Sequence, residues 1–276
     1  MGKRVLLIFC MGAAVLGTAA AAHAANIWGV DPSNPDTPLV NLDPFTGTEI
    51  TRYSVPGGLA STDTEIGLAG WKDALFYVND KENGKIYTID PDDGAVLGDY
   101  TVSGGWEIDG LGYYAGASGA WIYSSGCNVD DVHRYVAADG SSPDFFWSNV
   151  DDPRAMAGDN GGKIITYGTV LGGTYGIYMI NPLSDTNATY LFASPSTSIV
   201  GMAFDGLYLY LSDTSDMLYT MSLGGTLVNS LDLGYTLYAL GSSEGTGGVI
   251  PEPSTFAVWS LLIGSVAVVG WRRRKR

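Results

Sequence analysis

Histidine and cysteine each occur only twice in 276 residues, as His23 and His133 and as Cys10 and Cys127. This scarcity closes off whole classes of chemistry. One member of each pair lies in the first 24 residues, which read as a leader removed on export, so the expected mature chain keeps only His133 and Cys127. A lone cysteine forms no intrachain disulfide; it reads as a small buried side chain or as an intermolecular partner. One histidine without a CxxC companion builds no clustered His/Cys metal centre. A Ser-His-Asp or Cys-His arrangement would have to pass through His133. Positive charge is scarce as well, with 14 Lys and Arg against 29 Asp and Glu. Two of the basic residues sit in the leader and five at the extreme C-terminus, where Glu252 is the one acid, so the body holds seven basic and 28 acidic residues, a formal −21. Such a body lacks the basic footprint of a nucleic-acid binder and is unsuited to electrostatic docking on anionic lipid. It suits solubility outside the cell, with divalent cations bridging to other acidic polymers. Long helical periodicity is missing too.

What is present begins with a targeting segment. Lys3 and Arg4 form a positive n-region, Val5 to Leu16 an apolar h-region, and Ala22-His23-Ala24 a small-x-small site before Ala25. The apolar run is too short for an anchor and is read as a signal peptide, 1–24, cut by signal peptidase. Cys10 lies inside the h-region behind Phe9, not behind the small residue a lipoprotein site wants.

The other end reads Pro251-Glu252-Pro253, then an apolar stretch from Phe256 to Trp271, then Arg272-Arg273-Arg274-Lys275-Arg276. Those 16 apolar residues, as a helix rising about 1.5 Å each, barely match a hydrocarbon core of about 30 Å. The five basic residues act as a stop-transfer signal on the cytoplasmic side. Pro251 and Pro253 hold the preceding chain extended, as a processing enzyme at the membrane surface requires. In order and position, residues 251–276 resemble the PEP-CTERM sorting tail. The resemblance implies export in a Gram-negative bacterium, passage through the inner membrane, processing by exosortase, and a role at the cell surface or in an exopolysaccharide matrix. A Gly/Ser-rich linker, 241–250, separates this tail from the body, 25–240.

The body is a repeat. Leu39-Val40-Asn41-Leu42-Asp43-Pro44, Ile86-Tyr87-Thr88-Ile89-Asp90-Pro91 and Ile177-Tyr178-Met179-Ile180-Asn181-Pro182 align without gaps. Val132-His133-Arg134-Tyr135 and Leu218-Tyr219-Thr220-Met221 fill the same slot. Its second position falls at Val40, Tyr87, His133, Tyr178 and Tyr219, at separations of 47, 46, 45 and 41. A Gly-plus-apolar strand opens each full unit, as in Ile66-Gly67-Leu68-Ala69 and Val200-Gly201-Met202-Ala203. A second strand follows, as in Leu75-Phe76-Tyr77-Val78, and a fourth closes it, such as Ala95 to Val102. Four strands in just over 40 residues predict a β-propeller blade. The first unit, from Ile27 to Val55, lacks an opening strand, and Tyr238-Ala239-Leu240-Gly241 is a spare one. The expected fold is therefore all-β, a five-bladed propeller of four-stranded blades closed by pairing the two ends; a β-sandwich or an open β repeat is the alternative.

Candidate chemistry in the body is thin. His133 stands where other repeats carry tyrosine, which packing explains. Glu107, Asp109, Asp152 and Asp205 lie near the opening strands, so a two-carboxylate glycoside hydrolase acting on extracellular polysaccharide is the enzyme alternative to a non-catalytic binding or structural module. Asp is equally common in turns without any function. Asp43-Pro44-Phe45-Thr46-Gly47 and Asp90-Pro91-Asp92-Asp93-Gly94 read as turns, or as weak Ca2+ sites, though neither has EF-hand spacing. No other cofactor is implied. Asn187-Ala188-Thr189 is a formal glycosylation sequon. Trp28, Trp71, Trp106, Trp121 and Trp147 read as blade core or as sugar-stacking platforms. An envelope protein is the remaining partner class.

Overall fold

The computed structural model of the chain describes residues 26–242, except 60–65, 72–73, 79–84, 102–107, 117–118, 127–130, 139, 142–143, 148–149, 152, 160–162, 170–172 and 182–184. The signal-cleavage residues Ala22, Ala24 and Ala25, the motif Pro251-Glu252-Pro253 and the basic residues 272–276 lie outside the described residues.

Tyr, Val, Ile and Leu runs between Asp, Gly and Pro turns form 20 strands in the described residues, arranged as five four-stranded antiparallel sheets. The second blade is β4 (Gly67–Trp71), β5 (Ala74–Val78), β6 (Lys85–Ile89) and β7 (Val96–Thr101). The third is β8 (Ile108–Gly116), β9 (Gly119–Gly126), β10 (Asp131–Val136) and β11 (Asp144–Trp147). The fourth is β12 (Met156–Gly158), β13 (Ile164–Gly168), β14 (Gly176–Asn181) and β15 (Asp185–Ala193). The fifth is β16 (Ile199–Phe204), β17 (Tyr208–Asp213), β18 (Met217–Ser222) and β19 (Leu227–Asp232). The first blade is composite. Its β1 (Ile27–Val30), β2 (Leu39–Leu42) and β3 (Glu49–Tyr53) are completed by β20 (Leu240–Ser242), with Gly29 opposite Leu240 and Ile27 opposite Ser242. The fold is the five-bladed β-propeller that the repeat predicts, with its closure made by the spare strand. That strand ends at Ser242, so the folded body runs two residues past the boundary at 240. Gly241 and Ser242 are buried sheet, not linker, because they complete the ladder on β1.

Among the described residues, five hydrophobic clusters each fill the space between two neighbouring blades. Alternation along each strand creates this pattern. On β5, Leu75 and Tyr77 pack toward the first blade while Phe76 and Val78 pack toward the third. On β17, Leu209 and Leu211 face the fourth blade and Tyr210 faces the first. A second strand buried on both faces must be apolar throughout, which is why these strands read as continuous runs instead of alternating ones.

Two devices lock neighbours together. The outer hairpins close on left-handed glycines, and the outer strand of the preceding blade covers them. Gly94 has φ of 75°, and a Cβ there would stand 2.5 Å from the Tyr53 ring. The Tyr53 hydroxyl donates to the Asp92 carbonyl of the same turn at 2.6 Å. Tyr100 covers Gly140 and Phe192 covers Gly225 in the same way. Nearer the axis, hydroxyls of second strands reach the chain entering the next blade: Ser125 Oγ donates to the Arg154 carbonyl at 3.1 Å and Ser212 Oγ to the Leu237 carbonyl at 2.6 Å.

Candidate functional site

A propeller's usual site is the mouth of its axial channel, so the inner strands decide what this ring can hold. Around the axis stand Ala69 and Gly70 of β4, Gly112 of β8, Ala157 and Gly158 of β12, Ala203 of β16, and Gly241 of β20. Side chains this small let the strands approach backbone to backbone. A Cβ on Gly158 would overlap the Tyr113 carbonyl, and one on Gly241 would meet the backbone of Ala69 and Gly70 at 3.1 Å. The hollow at the mouth spans about 330 Å3 including open solvent, and water fits in only about 20 Å3 of it. That is room for about one water, not for a sugar ring.

Of the four carboxylates expected near this channel, only the Asp205 side chain is among the described residues. Asp205 turns back on its own loop: its carboxylate accepts from the Leu207 and Tyr208 amides and from the Tyr210 hydroxyl, each at 2.7 Å. Glu107, Asp152 and the Asp109 side chain lie outside the described residues. The two Asp-Pro turns use their acids the same way. Asp43 Oδ1 accepts from the Phe45 amide at 2.8 Å and Asp90 Oδ1 from the Asp92 amide at 2.8 Å, while the Gly47 and Gly94 amides close each turn on the Asp carbonyls. One carboxylate oxygen of each Asp is committed to backbone amides of its turn, and no cluster of three His, Cys, Asp or Glu stands together among the described residues.

His133 is buried on β10 and stacks beside Tyr135 at 6.4 Å, as expected of a blade residue in the tyrosine slot. Cys127 lies outside the described residues, as do Trp106 and the side chains of Trp71, Trp147 and Asn187. Trp28 is fully buried and stacked on Tyr53 at 5.6 Å, hence core. Trp121 is half-buried beneath the Arg134 guanidinium, 4.6 Å from the ring centroid.

A charged site that sequence reasoning did not identify stands at the seam of the ring. Arg52 on β3 makes a two-pronged pair with Glu49 at 2.6 and 2.9 Å and reaches Asp31 Oδ2 at 2.8 Å. The Asp31 side chain is 3% exposed, and its other oxygen accepts from Ser33. The Arg52 guanidinium also lies over the Tyr235 ring at 5.2 Å. The cluster therefore fastens the first blade to the segment that leads into β20. The hydrogen bond from Arg52 holds the Glu49 carboxyl below its ordinary value of 4.5, while burial, with Glu49 adjacent, pushes the Tyr235 phenol up. A depressed carboxyl stabilises the fold above its unfolded pKa, and that contribution is lost as pH falls through the folded one. Arg52→Ala is expected to cost about 2 kcal/mol at pH 7, chiefly by leaving buried Asp31 without its cation. It is also expected to flatten the loss of stability as pH falls below the ordinary carboxyl value of 4.5. Urea unfolding of both proteins as a function of pH checks both. An unchanged acid limb would remove the cluster from the account. The signal for the cluster was faint: Asp31-Pro32-Ser33 repeats the turn of Asp213-Thr214-Ser215, where Asp213 Oδ1 takes the Ser215 amide at 2.9 Å.

The chain matches no protein-family model and no curated protein. Solved structures do share its architecture. A chain of a nidogen/laminin complex superposes with a TM-score of 0.52 at 13% identity, covering 78% of this chain and 97% of that one. The likeness is one of fold. A streptogramin B lyase gives a TM-score of 0.43 at 14% identity, covering 76% of this chain and 66% of that one. BamB from Moraxella catarrhalis gives 0.34 at 13%, covering 75% and 58%. Identities this low carry no activity across.

Proposed function

We propose that this propeller is a non-catalytic binding or structural module of the cell surface or extracellular matrix. In this reading signal peptidase releases it after Ala24, the tail holds it at the inner membrane, and exosortase acts at the Pro251-Glu252-Pro253 motif. The observation that supports the non-catalytic reading is the narrow axis among the described residues, whose mouth admits water in only about 20 Å3 where a small-molecule site encloses about 300 Å3 or more. The nidogen/laminin neighbour, a propeller-like chain taken from a complex of proteins, supports the use of such a ring for binding. The sorting tail supports association with exopolysaccharide, and a body of net −21 favours contact with acidic polymers through bridging divalent cations.

The test is retention of the purified body, 25–248, on exopolysaccharide from its own cells. Retention released by a chelator is the expected result, with no new reducing ends in the polymer. Failure to bind would remove the matrix reading, and chain cleavage of the polymer would replace it with the hydrolase.

A further inference from the structure

Of the eight large apolar side chains that stand exposed among the described residues, four gather at one end of the fifth blade: Leu207, Leu223, Leu227 and Val228. Tyr208 pairs with Ser222 at the end of the β17–β18 ladder, so Leu207 and Leu223 are the next residues outward on each side. Leu227 pairs with Met221 and opens β19, followed by Val228. The β2–β3 turn of the first blade lies against this end: Asn229 donates to the Phe45 carbonyl at 2.9 Å, and the Phe45 ring meets Tyr208 edge-on at 5.7 Å. Three more of the eight, Ile50, Val96 and Leu97, occupy the corresponding starts of β3 and β7, just after Gly47 and Gly94.

The chain leaves the ring on this same side. Ser242 is opposite Ile27, and Ile27 is opposite Leu42, so β20 delivers the outgoing chain at the end of the blade that carries the turn around Phe45. Phe204, at the matching end of β16, stands with Ser242 around the channel mouth. Thirteen residues, 243–255, then separate Ser242 from the apolar stretch that begins at Phe256. A chain of that length reaches about 45 Å at most.

We propose that, in the chain that still carries its tail, before exosortase acts, the apolar end of the fifth blade, continued by the first and second, rests on a neutral lipid surface, with the tail as its tether and the opposite face turned outward. The inference depends on the membrane-spanning tail of the proposed function. Charge selects the occupant. A body of net −21 repels a second copy of itself and an anionic bilayer, whereas uncharged headgroups accept Leu and Val side chains without that penalty. The contact is too small to hold alone, and the tether supplies the local concentration that makes it persistent. The outward face then presents the β1–β2 loop, 31–38, and the β15–β16 connection, 194–198, to partners.

The experiment uses the exported chain, Ala25 to Arg276, in phosphatidylcholine vesicles, with Cys127→Ala and single spin-labelled cysteines. Labels at Leu223 and Val228 report one face; labels at Asp36 and Thr197 report the other. The expected result is flotation with the vesicles and at least threefold lower access of a water-soluble nickel relaxant to the first pair than to the second. Equal access in chains that float would overturn the inference while leaving the tail intact. Chains that fail to float would overturn the membrane tail and the inference with it. Protection of Leu223 and Val228 that vanishes when the chain is diluted to one copy per vesicle would assign the patch to a second copy and overturn the lipid contact.

Discussion

Ending the chain after Tyr238 is expected to abolish cooperative folding, whereas ending it after Gly248 leaves a folded ring. The difference is one short strand. β20 contributes Leu240, 1% exposed and packed between the fifth and first blades, together with buried Gly241 and Ser242. It also contributes its ladder to β1 and bonds at its entry, where the Val30 amide donates to the Ala239 carbonyl at 3.3 Å and the Ala239 amide to the Val200 carbonyl at 3.3 Å. Burying one leucine is worth about 2–3 kcal/mol and each net hydrogen bond about 1 kcal/mol. The loss is on the order of 5 kcal/mol, comparable to the entire stability of many domains. It also frees the edge of β1 for pairing with other chains. Thermal unfolding followed by circular dichroism separates the two truncations. A sharp, unshifted transition in the shorter chain would mean that the ring does not depend on its closing strand.

Gly158→Ala and Gly98→Ala make the same chemical change and are expected to differ by about 3 kcal/mol or more. At Gly158 the new methyl overlaps the Tyr113 carbonyl of the neighbouring blade, a backbone atom that cannot swing aside, so the inner strands must separate. Overpacking typically costs 1–3 kcal/mol even where side chains can adjust. At Gly98, on the outer strand β7, no atom lies within 4 Å of the added methyl, and replacing a strand glycine is neutral or slightly stabilising. Chemical denaturation of the pair gives the answer directly. Equal midpoints would show that the axis is not packed backbone on backbone, and with it the argument for a closed channel would fail.

Much of the fold was legible because each blade repeats its own punctuation. The Asp-Pro turn ending in glycine recurs after β2 and β6, and the spare strand around Leu240 had only one empty slot to fill. Blade-to-blade division of the core was implicit in runs such as Leu75-Phe76-Tyr77-Val78, which are apolar on both faces because each face meets a different neighbour. The seam cluster was not legible. Asp31, Glu49 and Arg52 meet within the first blade, but Tyr235 joins them only when the last segment folds back on that blade, and no local pattern encodes that contact. Asp205 shows the opposite limit: its place beside an inner strand suggested channel chemistry, but the tight turn at Gly206 directs its carboxylate to neighbouring amides. The exposed apolar end of the fifth blade was hidden for a similar reason, since Leu227 and Val228 read as ordinary strand residues until the register leaves them uncovered.

The most direct test of the functional account is the intact mass and the cell fraction of the protein from its native host. The account predicts a product that begins at Ala25, ends near Pro251 and is released from the inner membrane to the surface or matrix. A product that keeps Arg272 to Arg276 and stays in the inner membrane would contradict it, and would make the tail a permanent anchor with the propeller on its periplasmic side.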